Sequence, residues 1–338
     1  MSHDHDIFSG FAGARVLITG GLGFIGSNLA RRLVALGSRV TVVDSLIPEY
    51  GGNLHNVHDM ADRLDINISD VRDEHAFGYL VRGQDFLFNL AGQTSHIDSM
   101  REPFADLEIN ARAQLSILER CRHDNPSIRV VFASTRQIYG KPERLPVDES
   151  HPLRPVDVNG INKLAGEGYH QLYSRVHGVR ASVLRMTNTY GPGMRVKDAR
   201  QTFLGIWIKR LLDGEPLIVF GDGEQIRDFN YVDDAVDALL RAAVNDRAYG
   251  EIYNLGHDPV SLNQLAAAMC ELGGGCFQHR AFPAGRRAID IGDYHADYGK
   301  AARELGWTPQ VSLEAGLART IAYYREHGAH YRDREESQ

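Results

Sequence analysis

Three glycines spaced three residues apart, Gly20, Gly23 and Gly26, separate a short apolar run from an apolar helical stripe. Glycine allows the backbone to turn tightly and to approach a pyrophosphate closely, and the N–H groups of a following helix stabilise negative charge. Gly21, with Gly23 and Gly26, also satisfies the pattern G-x-G-x-x-G. The spacing therefore predicts a dinucleotide-binding turn between a strand and a helix.

An acidic residue follows at the distance that the ribose of such a dinucleotide requires. Asp44 ends a second β-branched run, residues 40–43, about 20 residues past the turn, where it would receive the adenosine hydroxyls. The next residues are Ser45 and Leu46 rather than an arginine, so the cofactor is predicted to be NAD and not its 2′-phosphorylated form. Asp70, at the end of a third run, either accepts from the adenine amino group or caps a helix.

Two hydroxyl residues, Ser134 and Thr135, follow a further apolar run at residues 128–133. Hydroxyls that leave a strand beside the reacting end of a cofactor can hydrogen-bond an alcohol or a ketone. Capping of the strand end is the alternative interpretation. Ala91 and Gly92 follow the run at 85–90, where small residues would let the cofactor pass.

The elements that must position these residues alternate between apolar runs and amphipathic helices up to about residue 186. This alternation predicts an α/β fold with a doubly wound parallel Rossmann sheet. Beyond residue 187 the alternation loosens, which indicates a second, smaller C-terminal region of mixed α/β structure. The predicted divisions are a loose N-terminal extension (1–14), an NAD-binding domain (15–186, completed by about 228–256), this C-terminal region (187–227 and 257–326) and a frayed tail (327–338).

Composition limits the classes to which the protein can belong. A chain of 338 residues with a net charge of −7 can bury a large core and presents no basic surface for nucleic acid or an anionic membrane. No apolar run approaches the span of a bilayer, and residues 1–10 do not resemble a signal peptide, so a cytoplasmic protein is expected. Cys270, Cys276 and His279 lack a fourth ligand at a zinc-like spacing, so no metal is predicted.

Further motifs follow the glycine turn in a specific order. They are Ser134-Thr135, Tyr139-Gly140, Arg185-x-x-Asn188-x-Tyr190-Gly-Pro192 and Gly221-Asp-Gly-x-Gln-x-Arg227-Asp-Phe229. With these motifs, residues 15–324 resemble the extended short-chain dehydrogenase/reductases of the nucleotide-sugar epimerase/dehydratase family, which includes the UDP-glucose 4-epimerases. The resemblance implies a Rossmann sheet that holds NAD and a smaller region that closes over a nucleoside-diphosphate sugar, with a UDP-sugar favoured.

The resemblance also assigns residues to the two ligands. Asn188 would touch the sugar or the diphosphate, and Arg227 and Arg287 would pair with diphosphate oxygens, as planar guanidinium groups do. Ser99 and Arg136 complete the substrate side. The residues assigned to the cofactor are Gly20, Gly23, Phe24, Ile25, Gly26, Asp44, Asp70, Val71, Ala91 and Lys163.

Position 159 departs from the family's pattern. The family uses a tyrosine four residues before a lysine as the base, and the lysine lowers the tyrosine's pKa. Lys163 is present, but Asn159 stands where the tyrosine is expected. An amide has no proton that titrates near neutral pH. Catalytic roles are therefore assigned to Thr135, Lys163 and Asn159, and the proton-transfer step stays open.

Three interpretations follow from this departure. In the first, another group or a water relays the proton, with Thr135, Tyr139, Tyr169 or Tyr190 in reach of the sugar. In the second, Asn159 is a neutral donor that polarises an existing carbonyl. In the third, the chain binds NAD and a ligand without turnover, as a binding or regulatory protein. The many matched substrate-side positions favour catalysis.

Positions 136 and 137 narrow the reaction further. The 4,6-dehydratases carry an Asp-Glu pair there for the elimination of water, whereas this chain has Arg136 and Gln137. The related decarboxylases keep the glutamate, so decarboxylation is also disfavoured, although Arg136 could hold a sugar carboxylate or pair with a nearby acid. The expected function is NAD-dependent epimerisation of a nucleoside-diphosphate hexose or uronate. By resemblance, helices at 102–122 and 156–176 would pair across a two-fold axis in a homodimer.

Overall fold

The computed structural model describes residues 7–198, 202–282 and 289–332. Strands and helices alternate along most of the chain. The strands are β1 (Arg15–Thr19), β2 (Arg39–Asp44), β3 (Leu64–Ile68), β4 (Phe86–Asn89), β5 (Arg129–Thr135), β6 (Arg180–Met186), β7 (Asn188–Tyr190), β8 (Leu217–Phe220), β9 (Ile226–Arg227), β10 (Phe229–Tyr231), β11 (Ile252–Asn254), β12 (Val260–Ser261) and β13 (Phe277–Arg280).

The helices connect these strands and cover both faces of the main sheet. They are α1 (Phe24–Ala35), α2 (Glu74–Leu80), α3 (His96–Arg101), α4 (Pro103–Leu107), α5 (Ala113–Asp124), α6 (Val158–His177), α7 (Phe203–Leu212), α8 (Val232–Val244), α9 (Leu262–Gly273), α10 (Gly299–Leu305) and α11 (Leu313–His327). Within the described residues, no helix is both long and apolar enough to cross a membrane.

Seven parallel strands form the main sheet in the order β11-β6-β5-β4-β1-β2-β3. The apolar run at 16–18 is fully buried in β1, which pairs with β2 on one side and with β4 on the other. The chain therefore reverses its direction of winding at β1, and ligands bind outside the carboxyl ends of strands at such a point. The predicted doubly wound α/β fold is confirmed.

The helix predicted at 102–122 is present in the structure and contains one π-helical turn. Pro103 begins α4, which passes through a π-helical turn at Glu108–Arg112 into α5. A proline is well placed at the first position of a helix, and π-helical turns occur often at functional sites. The turn contains Asn110, whose Nδ2 donates to the carbonyl oxygen of Gln93 at 2.9 Å.

Helix α6 carries several of the residues assigned to the site. Asp157 caps its first turn by accepting a hydrogen bond from the N–H of Gly160 at 2.7 Å. The helix ends at Gly178, which has a positive φ of 69°. These caps fix the helix against β5 and β6, so that Asn159 and Lys163 lie at the carboxyl edge of the sheet.

The remaining strands and helices form a second region with short two-stranded pairings. β8 pairs with β13 and β7 with β10 in parallel, and β9 pairs with β12 in antiparallel orientation. The loose extension expected at 1–14 is wrong for residues 8–14, because Phe8 and Phe11 are buried and the Phe11 ring lies 4.8 Å from that of Phe86. The frayed tail is likewise wrong near Tyr331, whose hydroxyl donates to Asn56 at 2.6 Å.

Candidate active site

The glycine turn joins β1 to α1 and forms a cradle with no room for a side chain. Gly20 has a positive φ of 69°, and a Cβ atom on Gly26 would lie 2.2 Å from the carbonyl oxygen of Gly20. Both positions therefore require glycine. The first residues of α1 form a wall of the adjoining cavity. A backbone cradle at a helix N-terminus fits the pyrophosphate of NAD.

The adenosine end of the cavity carries two carboxylates. Asp44 accepts from the N–H groups of Leu22 at 3.1 Å and Leu46 at 2.9 Å. Burial raises the pKa of Asp44, and these N–H groups act against that rise. Its remaining lone pairs can accept from ribose hydroxyls. Asp70 pairs with Arg72 at 2.5 Å, and this contact holds the pKa of Asp70 below its usual value.

One cavity runs from this end along the carboxyl edge of the sheet to the second region. It is lined by most of the residues that the sequence assigned to a ligand. They are Gly20, Gly23, Phe24, Ile25, Gly26, Asp44, Asp70, Val71, Ala91, Thr135, Arg136, Asn159, Lys163 and Asn188. Ser99 and Arg227 do not line it, and Arg287 lies outside the described residues.

Lys163 is enclosed at the inner end of the cavity. Its Nζ donates to the carbonyl oxygen of Ala133 at 3.2 Å and lies 5.0 Å from the centre of the Phe132 ring. A Cβ atom on Gly92 would lie 2.9 Å from Nζ, so this glycine leaves room for the ammonium group. Burial lowers the pKa of Lys163 to about 8. The lysine therefore releases its proton more readily than an exposed lysine does.

The two hydroxyls at the end of β5 differ in what they contact. Thr135 Oγ1 accepts from the N–H of Gln137 at 3.2 Å and so caps the turn that follows. Ser134 Oγ is buried and has no hydrogen-bond partner in the part of the chain that the structure describes. An unpaired buried hydroxyl costs about 1–3 kcal/mol. Because Ser134 also lines the cavity, a bound ligand could satisfy it.

Asn159 is an anchor whose two amide hydrogens are both in use. Its Nδ2 donates to the carbonyl oxygen of Gln93 at 2.7 Å and to the buried carboxylate of Asp106 at 3.0 Å. Asn162 donates to the other oxygen of Asp106 at 2.8 Å. The interpretation in which Asn159 polarises a substrate carbonyl therefore has no free hydrogen to use. Asn159 instead ties the loop at Gln93 to the start of α6.

The three tyrosines suggested as alternative bases are engaged elsewhere, and none of them lines the cavity. The hydroxyl of Tyr139 donates to Asn254 at 2.7 Å, and that of Tyr190 donates to a carbonyl oxygen at the start of α11 at 3.2 Å. Tyr169 packs against an apolar cluster that includes Val130. The suggestion that one of these tyrosines reaches the sugar is therefore wrong for this conformation.

Arg136 and Asn188 lie together at the other end of the cavity. Nη2 of Arg136 donates to Asn188 Oδ1 at 2.8 Å, and the guanidinium lies over the Tyr294 ring at 5.2 Å. Nη1 is buried and has no partner among residues 7–198, 202–282 and 289–332. Burial lowers the pKa of Arg136, and nearby Asp228 acts against this. An anionic group on a ligand would satisfy Nη1.

Arg227 and Ser99 make internal contacts. Arg227 Nη1 donates to the carbonyl oxygen of Gly292, and its Nη2 lies 3.7 Å from Asp290. Burial lowers the pKa of Arg227 to about 10. Ser99 is fully buried and donates to the carbonyl oxygen of His96 at 2.8 Å. Contacts of Arg227 and Ser99 with a substrate stay predictions.

The sequence reasoning missed two titratable residues of the cavity, Tyr50 and His96. His96 Nδ1 lies 2.9 Å from a carboxylate oxygen of Asp157, without the alignment of a hydrogen bond, and Gln137 Nε2 donates to the same oxygen at 2.9 Å. The sequence carried only local signals here. Ser95 is a typical capping residue ahead of α3, and Asp157 is one ahead of α6. The contact itself depends on how α3 packs against α6.

These features define an NAD-binding α/β protein with a Rossmann sheet. They include the glycine cradle after β1, the acidic residue that ends β2 and the buried lysine on the helix before β6. The model of the NAD dependent epimerase/dehydratase family matches residues 16–256, and the chain belongs to this family, which uses NAD.

Relatives of known name match nearly the whole chain. The UDP-glucose 4-epimerase of Mycolicibacterium smegmatis is 31% identical over 313 residues, which are 92% of this chain and 98% of that protein. The structure of UDP-glucose 4-epimerase from Thermotoga maritima with UDP-glucose is 32% identical, covers 92% and 99% of the two chains and has a TM-score of 0.83. The dTDP-glucose 4,6-dehydratase of Streptomyces venezuelae, with NAD bound, is 29% identical, covers 93% and 98%, and has a TM-score of 0.84. Other relatives are named uronate decarboxylases, so the matches span three reactions.

Proposed function

We propose that the protein is an NAD-dependent epimerase that acts on a nucleoside-diphosphate sugar, with a UDP-sugar as the first candidate. The observation that carries this proposal is the continuous cavity whose lining runs from the glycine cradle at Gly26, past Lys163, to Arg136 and Asn188. Relatives named UDP-glucose 4-epimerase support the choice of substrate. Positions 136 and 137 carry no carboxyl group, which disfavours elimination of water.

In this proposal NAD, when bound, accepts a hydride from the sugar and returns it. The residues of this chain bind the reactants and stabilise charge. Ser134 and Thr135 hydrogen-bond the reacting oxygen, and Lys163 holds the nicotinamide ribose and stabilises negative charge that develops nearby. Arg136 and Asn188 fix the sugar. Epimerisation then requires that the ketone turn in the site before the hydride returns.

The proposal is tested by incubating the protein with NAD and a panel of nucleotide sugars in D₂O. We expect an isomer of one sugar to form without solvent deuterium at the epimerised carbon, because the hydrogen returns from the cofactor. A transient absorbance of reduced cofactor should accompany turnover. Tight binding with neither an isomer nor reduced cofactor would support the binding or regulatory interpretation instead.

A decarboxylase for a nucleotide uronate is the second candidate, and Arg136 favours it. The buried and unpaired Nη1 is suited to a sugar carboxylate. Oxidation of the carbon two bonds from the carboxylate gives a β-keto acid, which loses carbon dioxide. A uronate labelled with ¹³C in its carboxyl group separates the outcomes, since a decarboxylase releases the label and an epimerase keeps it in the isomer.

The homodimer is also proposed, and exposed apolar side chains support it. Leu172 and Val176 lie on the outer face of α6, with Ile161 on the same stripe, and Phe104 is 79% exposed on α4. Two copies that pair through these helices would bury these side chains, which favours association. We expect a dimeric mass by light scattering and a monomeric mass for Phe104→Glu. A wild-type monomer at micromolar concentration would contradict the proposal.

A further inference from the structure

We propose that His96, oriented by Asp157, exchanges the proton with the reacting sugar hydroxyl in place of the absent tyrosine. The inference rests on the proposed function and names the residue for its acid–base step.

The geometry of the pair resembles that of a histidine prepared for proton transfer. His96 opens α3 and lines the same cavity as Lys163 and Thr135. Its Nδ1 is buried and lies 2.9 Å from a carboxylate oxygen of Asp157, close enough for an ion pair but without the alignment of a hydrogen bond to any residue that the structure describes. The Asp157 side chain is fully buried, whereas the imidazole is 34% exposed. An ionised carboxylate beside Nδ1 favours the hydrogen on that nitrogen, which leaves Nε2 as the proton acceptor.

The environment of Asp157 keeps it ionised. Burial acts to raise its pKa, but contacts with His96, with a backbone N–H in the first turn of α6 and with Gln137 outweigh burial and hold the pKa of Asp157 below its usual value. The side chain therefore supplies a negative charge beside the imidazole. Two cations, Arg136 and Lys163, line the same cavity as His96.

The other titratable groups of the cavity are less suitable. Within the described residues these groups are Asp44, Tyr50, Asp70, Arg136 and Lys163. Asp44, Tyr50 and Asp70 belong to the adenosine end, and an arginine stays protonated near neutral pH. Lys163 is held on the carbonyl oxygen of Ala133, in the position from which it can bind the ribose. His96 is the titratable group that remains among the described residues that line the cavity.

The asparagine at 159 fits this assignment as a positioning residue. Its amide holds the carbonyl oxygen of Gln93, and Gln93 Nε2 donates to the carbonyl oxygen of Ser95, which caps α3. Both residues lie at the start of α6. Asp157 lies against the imidazole, and Asn159 holds the loop that carries His96. A tyrosine at 159 could not make these two donations from one hydroxyl.

The step balances as an ordinary alcohol oxidation. The C–H bond of the reacting carbon breaks, and its hydride would go to NAD, which is the two-electron oxidant of the proposed function. The O–H bond breaks and its proton passes to Nε2 of His96, while the C=O bond forms. In the return step the hydride reaches the opposite face of the carbonyl carbon, and the proton returns from His96 to the oxygen.

The test compares wild type with His96→Gln, Asp157→Asn and the control His75→Gln, an exposed histidine on α2. We expect His96→Gln to lower kcat by about 100-fold or more, the usual contribution of a general base. The dissociation constants of NAD and of the nucleotide sugar should stay within about threefold, and the control should match wild type. Asp157→Asn keeps the helix cap, since asparagine also caps, and should lower kcat by about tenfold or more.

Two further readouts separate catalysis from a structural role. The pH profile of kcat should lose one limb in His96→Gln. In wild type, the ¹⁵N signals of the His96 imidazole, which are identified by their absence from this variant, should shift when the nucleotide sugar binds. If His96→Gln does not fold, Asp157→Asn decides by the same readouts. If the folded variants keep a kcat near that of wild type and both limbs of the pH profile, the assignment of His96 is overturned while the proposed function stands. A wild-type protein that converts no sugar overturns both.

Discussion

Replacement of Asn159 by tyrosine restores the residue that the family pattern expects, yet we predict that it lowers activity. The amide of Asn159 donates to Gln93 and to Asp106, and a phenol hydroxyl has one hydrogen. The larger ring must also enter a position that is 2% exposed. The loop that carries His96 would lose its anchor, and the Asp106 carboxylate would lose one of its donors.

The magnitude follows from these contacts. Loss of a hydrogen bond to a buried carboxylate costs about 1.5–3 kcal/mol, and insertion of a ring into a packed site adds about 1–3 kcal/mol. Asn159→Tyr should therefore lower the free energy of unfolding by about 2.5–6 kcal/mol, as measured in urea. Turnover should fall by at least tenfold, because His96 is displaced from its place against Asp157.

The matched control is Asn162→Ala. Asn162 donates to the other oxygen of Asp106 and has no bond to Gln93 among its described contacts. It should lose a comparable part of the stability while kcat stays within about threefold of wild type. A folded Asn159→Tyr protein with higher turnover than wild type would refute the reasoning, since it would show the asparagine to be a defect in ordinary tyrosine chemistry.

Three further predictions address the cofactor, the lysine and the sugar. Gly26→Ala should weaken NAD binding about 100-fold or more in calorimetry, because its Cβ meets the Gly20 carbonyl oxygen, whereas Gly168→Ala, with nothing within 4 Å, should not. The pKa of Lys163 is about 8 in the folded chain and about 10.5 when unfolded, so the unfolded chain binds more protons between these values. Wild type should therefore gain up to about 3 kcal/mol of stability relative to Lys163→Met as pH rises from 8 to 10.5, and equal slopes in urea titrations would contradict this. Arg136→Met should weaken the binding of a nucleotide uronate about tenfold more than the binding of the neutral nucleotide sugar, as measured by competition. An equal loss of affinity for both ligands would exclude a carboxylate contact.

The sequence was a good guide where a signal is local. The glycine turn, the acidic end of β2 and the apolar runs depend on residues within one strand–turn–helix unit, and they predicted the sheet and the cofactor. The helix at 102–122 was predicted, but its π-helical turn at Glu108–Arg112 was not, because the apolar stripe continues through the turn. The packed ends of the chain were also missed, since Phe11 and Tyr331 have their partners, Phe86 and Asn56, far along the sequence.

The site was predicted as a set of positions but not as a network. Thr135, Lys163 and Asn188 line the cavity, as the motifs indicate. The donors and acceptors could not be assigned, because they depend on tertiary contacts such as Asn159 with Asp106. His96 stayed hidden for the same reason, since a histidine gains a role only when a distant carboxylate fixes one of its nitrogens.

The two buried carboxylates near the start of α6 bear on whether the protein turns over a substrate. A buried carboxylate is costly unless hydrogen bonds satisfy it, and an apolar replacement is often as stable as a satisfied pair. Asp106 is satisfied by two asparagine amides, as expected for a structural role. Asp157 instead lies against His96, a side chain that lines the cavity. Capping α6 does not require that contact, because the backbone hydrogen bond to Gly160 already provides the cap. A carboxylate that orients a cavity histidine is typical of acid–base sites, and it favours an enzyme over a protein that only binds NAD and a sugar.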